Sequence, residues 1–325
     1  MWLTSSSIGR KLIMSITGAC LVLFVTFHVL MNSVAILWPA AYNTVCAFLG
    51  ANWYALIACA GLALLFVIHI LYALVLTMQN RNARGADRYA VTSTPKSVEW
   101  SSKNMLVLGI VVVAFMVVHF IQFWYKMQCQ EILGHHFYET ETGLLLPVTA
   151  GTAFIQLAFQ EWWTLVVYLV GFAALWLHMN HGFWSMFQSA GWNNTTWLPR
   201  LKKISCAWTT IVIGLFAVQA VWFAYQAHNG EYFKNTELKN QYIEQVGKVF
   251  QERFNAIQQS AKSQYDQEAM KQMQDLRQEF MAVMEKYNQL GKEEEKAAAV
   301  EETPATPEAP AQNDTTVVNQ QPANN

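Results

Sequence analysis

Residues 12–80, LIMSITGACLVLFVTFHVLMNSVAILWPAAYNTVCAFLGANWYALIACAGLALLFVIHILYALVLTMQN, contain no Asp, Glu, Lys or Arg. A soluble core of ordinary size needs no such run, whereas a membrane does, at about 20 apolar residues per helix. The same bareness returns over 104–125, 162–199 and 204–230. Five spans follow, near 12–36, 53–78, 104–126, 163–187 and 204–227. Backbone groups in lipid must find their partners internally, and runs this long do so as helices. The expected fold class is all-α, a five-helix transmembrane bundle over residues 1–230. The chain of 325 residues is 54% hydrophobic and 13% charged, and no nucleic-acid partner is expected.

Arg10 and Lys11 precede the first span, and Ser33-Val34-Ala35 loosely resembles a cleavage site. The apolar stretch is nevertheless longer than the roughly 7–15 residues of a signal segment, so it reads as a permanent helix. Basic residues set the expected orientation. The segment 79–103 carries Arg81, Arg84, Arg88, Lys96 and Lys103, and 188–203 carries Arg200, Lys202 and Lys203. The segments 37–52 and 128–162 carry none. The positive-inside rule then puts the N-terminus and both basic segments in the cytoplasm, and everything after about residue 228 outside. Trp38, Trp53, Tyr54, Trp124, Tyr125, Trp162, Trp163, Trp222 and Tyr225 sit at span ends, where interfacial anchors belong.

One histidine lies within each of the first four spans: His28, His69, His119 and His178. Ionisable groups inside a membrane are costly and mark function. Helical rise converts their positions into depth. From the cytoplasmic end, His28 lies roughly 24–26 Å up and His119 about 23 Å up, while His69 and His178 both lie at about 14 Å. Because the helices alternate in direction, two shared levels are not a trivial result of spacing. They pair His28 with His119 at an outer level and His69 with His178 at an inner one. Two imidazoles per iron suit electron transfer rather than oxygen binding, so the pairs read as axial ligands of two non-covalent b-type haems. Each ligand is expected to bind through Nε2, with Nδ1 donating to a carbonyl one turn back. Gly18, Gly61, Gly109 and Gly171 lie seven to ten residues before the four histidines. Those offsets put each near the opposite level, where a missing side chain would admit a porphyrin. The alternative is a haem-free transporter or structural protein using these histidines as interhelical hydrogen-bonding groups.

The remaining histidines say less. His181 follows His178 by one turn and could replace it, though a contact with a haem propionate or headgroups is expected. His135 and His136 fall in the outer loop, and His228 ends the fifth span. None of Cys20, Cys46, Cys59, Cys129 and Cys206 forms a C-x-x-C-H motif, which excludes covalent haem attachment. Cys46 and Cys129 share the outer side, where a disulfide would persist, but unpaired buried thiols are expected.

With these residues in place, the chain resembles the dihaem cytochrome b subunit of succinate dehydrogenase and fumarate reductase complexes, in its single-subunit, five-helix type. The resemblance covers about residues 1–228. It rests on the His-bearing helices, on Gly9-Arg10-Lys11, on His69 before Leu71-Tyr72-Ala73, and most specifically on Leu177-His178-Met179-Asn180-His181-Gly182-Phe183-Trp184-Ser185 before Gly191-Trp192. In that family the fourth-helix ligand is followed four residues later by Gly, as His178 is by Gly182. The resemblance implies the same two haem pairs. It also implies an anchor for an iron–sulfur subunit and a flavoprotein subunit, which carry the iron–sulfur clusters and the FAD. Succinate and fumarate would react there, and this chain would react with menaquinone or another quinone of a bacterial respiratory chain, in the inner membrane. Some members carry a proton-conducting Glu two residues before that ligand. Here the position is Trp176, so that path is not carried over.

A quinone site near the His28/His119 level needs a proton-handling group. Among Glu131, Glu139, Glu141 and Glu161, the residue at the mouth of the fourth helix, Glu161, is the expected candidate. The chain continues well past the point where the family usually ends. From 232 to 299 an apolar stripe (Leu238, Tyr242, Val246, Val249, Phe254, Ile257, Ala261, Tyr265, then Ala269, Met273, Leu276, Phe280, Met284, Tyr287) marks an extracytoplasmic amphipathic, coiled-coil-like extension over 231–300, broken around 260–266. Its partner is expected to be a second copy, an envelope protein or its own folded-back half, and haem incorporation is not expected to need it. Residues 301–325, with Pro304, Pro307 and Pro310, read as a disordered tail.

Overall fold

A computed structural model describes residues 6–50, 52–84, 99–261 and 266–301. Arg88 and Lys96 of the first basic segment, Tyr265 of the stripe, and the tail from 302 onward lie outside the described residues. Five helices are long and apolar enough to cross a membrane: α1 (Ser7–Leu37), α3 (Trp53–Arg84), α5 (Met105–His119) with its continuation to Ile132, α8 (Trp162–Gln188) and α9 (Trp197–His228). All five expose large apolar side chains, among them Leu23, Leu64, Ile121, Val166 and Val218. Exposed apolar area on that scale marks a surface made for an apolar surrounding.

The helix ends are legible in local chemistry. At the start of α1 the Ser6 hydroxyl accepts from the Gly9 N–H at 2.9 Å, supplying a partner to an amide that the helix leaves free. At its other end Pro39 disfavours the helical backbone at Trp38, whose φ is −153°. The same Pro39 opens α2 (Pro39–Gly50) at the position where proline fits best. Helix α8 stops at Gly191, which takes φ +84°, a conformation that favours glycine. There the Trp192 N–H donates to the Phe187 carbonyl at 3.1 Å, and the Trp192 ring packs on Phe187. The Gly191-Trp192 pair is therefore a helix stop.

Helices α1, α5, α8 and α9 share one core, built around Val29, Phe115, Tyr168, Phe172, Phe216 and Ala220. Polar side chains tie it across helices. Gln219 donates to the Val29 carbonyl at 2.9 Å and to Ser33 Oγ at 2.8 Å. Helix α3 packs mainly along α1 and carries no buried residue among those whose side chains are described. A short helix, α4 (Trp100–Lys103), leads into α5.

Two segments expected as loops are folded. The segment 37–52 holds α2. The segment 128–162 holds α6 (Gln130–Ile132), an antiparallel hairpin of β1 (Phe137–Glu139) and β2 (Leu145–Pro147), and α7 (Gly151–Phe159). The extension forms α10 (Glu231–Lys234), α11 (Thr236–Ser260) and α12 (Gln267–Glu301). Helices α11 and α12 fold back on each other and onto the hairpin and α7. Leu144, Leu146, Phe154, Tyr242, Val246 and Leu276 lie in their common core. Tyr242 stacks on Tyr287 with centroids 3.9 Å apart and donates its hydroxyl to the Leu145 carbonyl at 2.8 Å. Asn43 of α2 bonds Thr152 of α7 and Gln241 of α11. Of the three partners expected for the stripe, the folded-back half covers it, together with the chain's own 137–159 segment, which was not expected. The stripe itself is corrected at two places: Phe250 and Val283 are buried, whereas Phe254 is exposed.

Candidate functional site

The histidines meet in pairs across the bundle. His28 of α1 and His119 of α5 have ring centroids 5.9 Å apart, at an interplanar angle of 82°. His69 of α3 and His178 of α8 are 6.3 Å apart, at 64°. Metal–imidazole bonds of about 2 Å on either side of one iron put axial ring centres about 6 Å apart. Both separations fit that demand. Two protein ligands would be enough for a metal whose remaining ligands came from a macrocycle.

The glycines divide. A Cβ on Gly18, in the His28 helix, would stand 3.5 Å from Cε1 of His69, and one on Gly109, in the His119 helix, 3.7 Å from Cε1 of His178. Each of these two therefore lies beside the level that its own helix's histidine does not occupy. Gly171 instead lets Phe115 approach α8, and Gly61 faces open space.

Around the rings the polar contacts differ from expectation. In place of own-helix carbonyls, hydroxyls of neighbouring helices face two of the imidazoles. Thr17 Oγ1 lies 3.1 Å from His69 Nδ1, and Tyr168 Oη lies 3.2 Å from His119 Nδ1. His178 Nδ1 is buried with no hydrogen-bond partner among the described residues. His28 meets the Asn32 amide through Nε2 at 3.5 Å. Immediately after His119 the span is wound as a π-helix over Phe120–Cys129, a form that clusters at functional sites. That winding buries Gln122, whose carbonyl accepts from Tyr168 Oη at 3.0 Å and whose Nε2 donates to Thr164 Oγ1 at 3.1 Å. Sequence reasoning passed over Thr17, Gln122, Thr164 and Tyr168. Their signal was available, as polar side chains inside uncharged spans.

His181 does not face the pair. It bonds Glu99 Oε2 at 3.3 Å, and Lys202 Nζ bonds the other carboxylate oxygen at 2.7 Å while lying over the Trp184 ring. Burial pushes the Glu99 carboxyl up, but the bonds from Lys202 and His181 outweigh it and hold it below the ordinary value. At the opposite end His135 and His136 are exposed, and His228 stacks on Trp162 at 3.8 Å. Glu161 is exposed at the N-cap of α8 and makes no side-chain bond to the helix. Glu131 packs against Gly50. Cys46 and Cys129 are both free thiols, and burial pushes the Cys46 thiol up to about 12, so it stays protonated. Comparison with protein-family models, with curated proteins and with solved structures finds no match.

Proposed function

We propose that this chain is the membrane-anchor cytochrome b subunit of a succinate dehydrogenase or fumarate reductase complex. In that role it carries electrons between an iron–sulfur subunit and a membrane quinone. The observation that carries the reading is the pair of imidazole separations, 5.9 and 6.3 Å, on four different spans. His28 and His119 would hold one haem, and His69 and His178 the other. When bound, such a haem would supply one-electron transfer. The chain's own part is to hold the imidazoles in opposed pairs with their ring planes crossed, to keep room beside Gly18 and Gly109, and to exclude water with the ring cluster of Phe115, Phe172 and Phe216.

By the positive-inside rule the basic end, with Arg81, Arg84, Arg200, Lys202 and Lys203, faces the cytoplasm of a bacterial cell. It would dock the iron–sulfur subunit, with the flavoprotein beyond it. The folded extension would then lie outside the membrane. Glu161, exposed at the opposite end, is the proposed proton-handling group for the quinone, and Glu161→Gln is expected to slow quinol oxidation. Reduced-minus-oxidised spectra test the whole reading. Two b-type haems per chain are expected, with one lost in His119→Ala and the other in His178→Ala. Purified full-length protein without protohaem would sink it. That outcome would favour the second reading, in which the Thr17–His69 and Tyr168–His119 contacts are themselves the purpose, as links between helices.

A further inference from the structure

We propose that Thr17 and Tyr168 are positioning residues that hold His69 and His119 in the tautomer with the proton on Nδ1, leaving each Nε2 bare to bind iron. The inference rests on the haem reading and adds how the protein selects the binding form of two imidazoles.

A neutral imidazole carries one proton on either nitrogen, and only the unprotonated nitrogen can accept a metal. A hydroxyl facing Nδ1 leaves the choice open until its own single proton is accounted for. Here that proton is spent elsewhere at both sites. Tyr168 Oη donates to Gln122 Oε1 at 3.0 Å, and Gln122 is held in that orientation because its Nε2 donates to Thr164 Oγ1 at 3.1 Å. Tyr168, Gln122 and Thr164 are all buried, at 5%, 8% and 0% exposure, so solvent offers no competing partner. Toward His119 the Tyr168 oxygen can therefore only accept, and Nδ1 at 3.2 Å must be the donor. Thr17 reaches the same end by another route. Its proton is shared between the Ile13 and Met14 carbonyls at 3.0 and 3.1 Å, one turn back in α1. Its oxygen is left to accept from His69 Nδ1 at 3.1 Å.

Different hydroxyls on different helices thus impose one tautomer at two levels. Each pair combines one imidazole anchored this way with one that is not, since His178 Nδ1 has no partner among the described residues and the contact of His28 is through Nε2. An imidazole that donates from Nδ1 is more basic at its other nitrogen. That favours the oxidised iron, so removing the acceptor raises the midpoint potential of the haem concerned.

The test is an optical redox titration of full-length protein carrying Tyr168→Phe or Thr17→Val. The Phe ring keeps its place among Phe115, Phe159 and Phe172, whose centroids lie 5.0–5.9 Å from that of Tyr168. Each variant is expected to raise the potential of one haem, to leave the other unmoved, and to weaken retention of the affected haem about 10-fold. Gln122→Met keeps the Tyr168 hydroxyl but frees its proton for His119, and is expected to disturb the same haem as Tyr168→Phe. Thr17→Ser keeps the hydroxyl and is expected to titrate as the parent. Unchanged potentials in both Tyr168→Phe and Thr17→Val, or a Thr17→Ser variant shifted as far as Thr17→Val, would overturn the inference. Parent protein without protohaem would instead remove the haem reading beneath it.

Discussion

Glu99 shows at the residue scale how one half-buried carboxylate can bind three elements. It precedes α4, accepts from His181 of α8 and Lys202 of α9, and its carboxyl is held below the usual range. A depressed carboxyl pKa stabilises the fold above the unfolded value, near 4.3, and that contribution fades as pH falls through the lower folded value. Glu99→Gln should therefore lower Tm slightly at pH 8, because a half-exposed pair contributes little, and flatten the acid-side fall by that same small amount, so that variant and parent converge below about pH 4. An unchanged acid-side slope would show that the cluster is not coupled to stability. Gly171 makes the opposite case, where space is everything. A Cβ there would overlap the Phe115 ring, so Gly171→Ala should cost about 1–3 kcal/mol by overpacking, read in the denaturant midpoint. The four span histidines were legible in sequence because depth is linear in residue number, and depth alone names the neighbours His28 with His119 and His69 with His178. Their hydrogen-bond partners were not legible, because Thr17 and Tyr168 reach them sideways from other helices and rise along one helix carries no information about its neighbours' rotation.

At the scale of elements the five spans were plain from uncharged runs, whereas the stops at Pro39 and Gly191 emerged only with the backbone conformation there. The π-helix after His119 was not plain either, since an extra residue per turn leaves little mark on a stretch in which Gln122, Lys126 and Gln128 are too few to define a period. Only the buried Gln122, lodged at position 122 of such a run, hinted at it. The stripe in the extension misplaced Phe250 and Phe254 because α11 is covered on two sides, by α12 and by the β1–β2 hairpin, so its buried face is set by both partners. Tyr242 sits where those covers meet. Tyr242→Ala removes a ring stacked on Tyr287 and the bond to the Leu145 carbonyl, and should cost about 3–5 kcal/mol, as for other buried aromatic truncations. Faster limited proteolysis within α11 and α12, with the five spans still protected, is the expected readout. Equal cleavage rates in variant and parent would show that the two helices are held by other contacts.

Over the whole molecule, sequence separated a bundle from an extension, and the structure joins them. Residues 231–300 read alone as an amphipathic helix in search of a partner, because the apolar face of the hairpin is hidden in a segment with no periodic signal of its own. Truncation after residue 230 should uncover Leu144, Leu146 and Phe154, which are 4%, 2% and 0% exposed in the intact chain. A lower Tm and self-association in detergent are expected, with the imidazole pairs retained, since α1, α3, α5 and α8 build them without the extension. Size-exclusion chromatography beside the parent checks this, and a truncated chain that elutes and melts as the parent would refute it.

The seam between Phe154 and Leu276 also dictates an order of events during synthesis. All five apolar helices leave the ribosome before α12 exists, so each nascent chain enters the bilayer with the greasy side of its hairpin still wet. Closure has to wait until α12 has been made, and a ribosome stalled before that point would hold out a sticky intermediate of the kind that chaperones exist to shield.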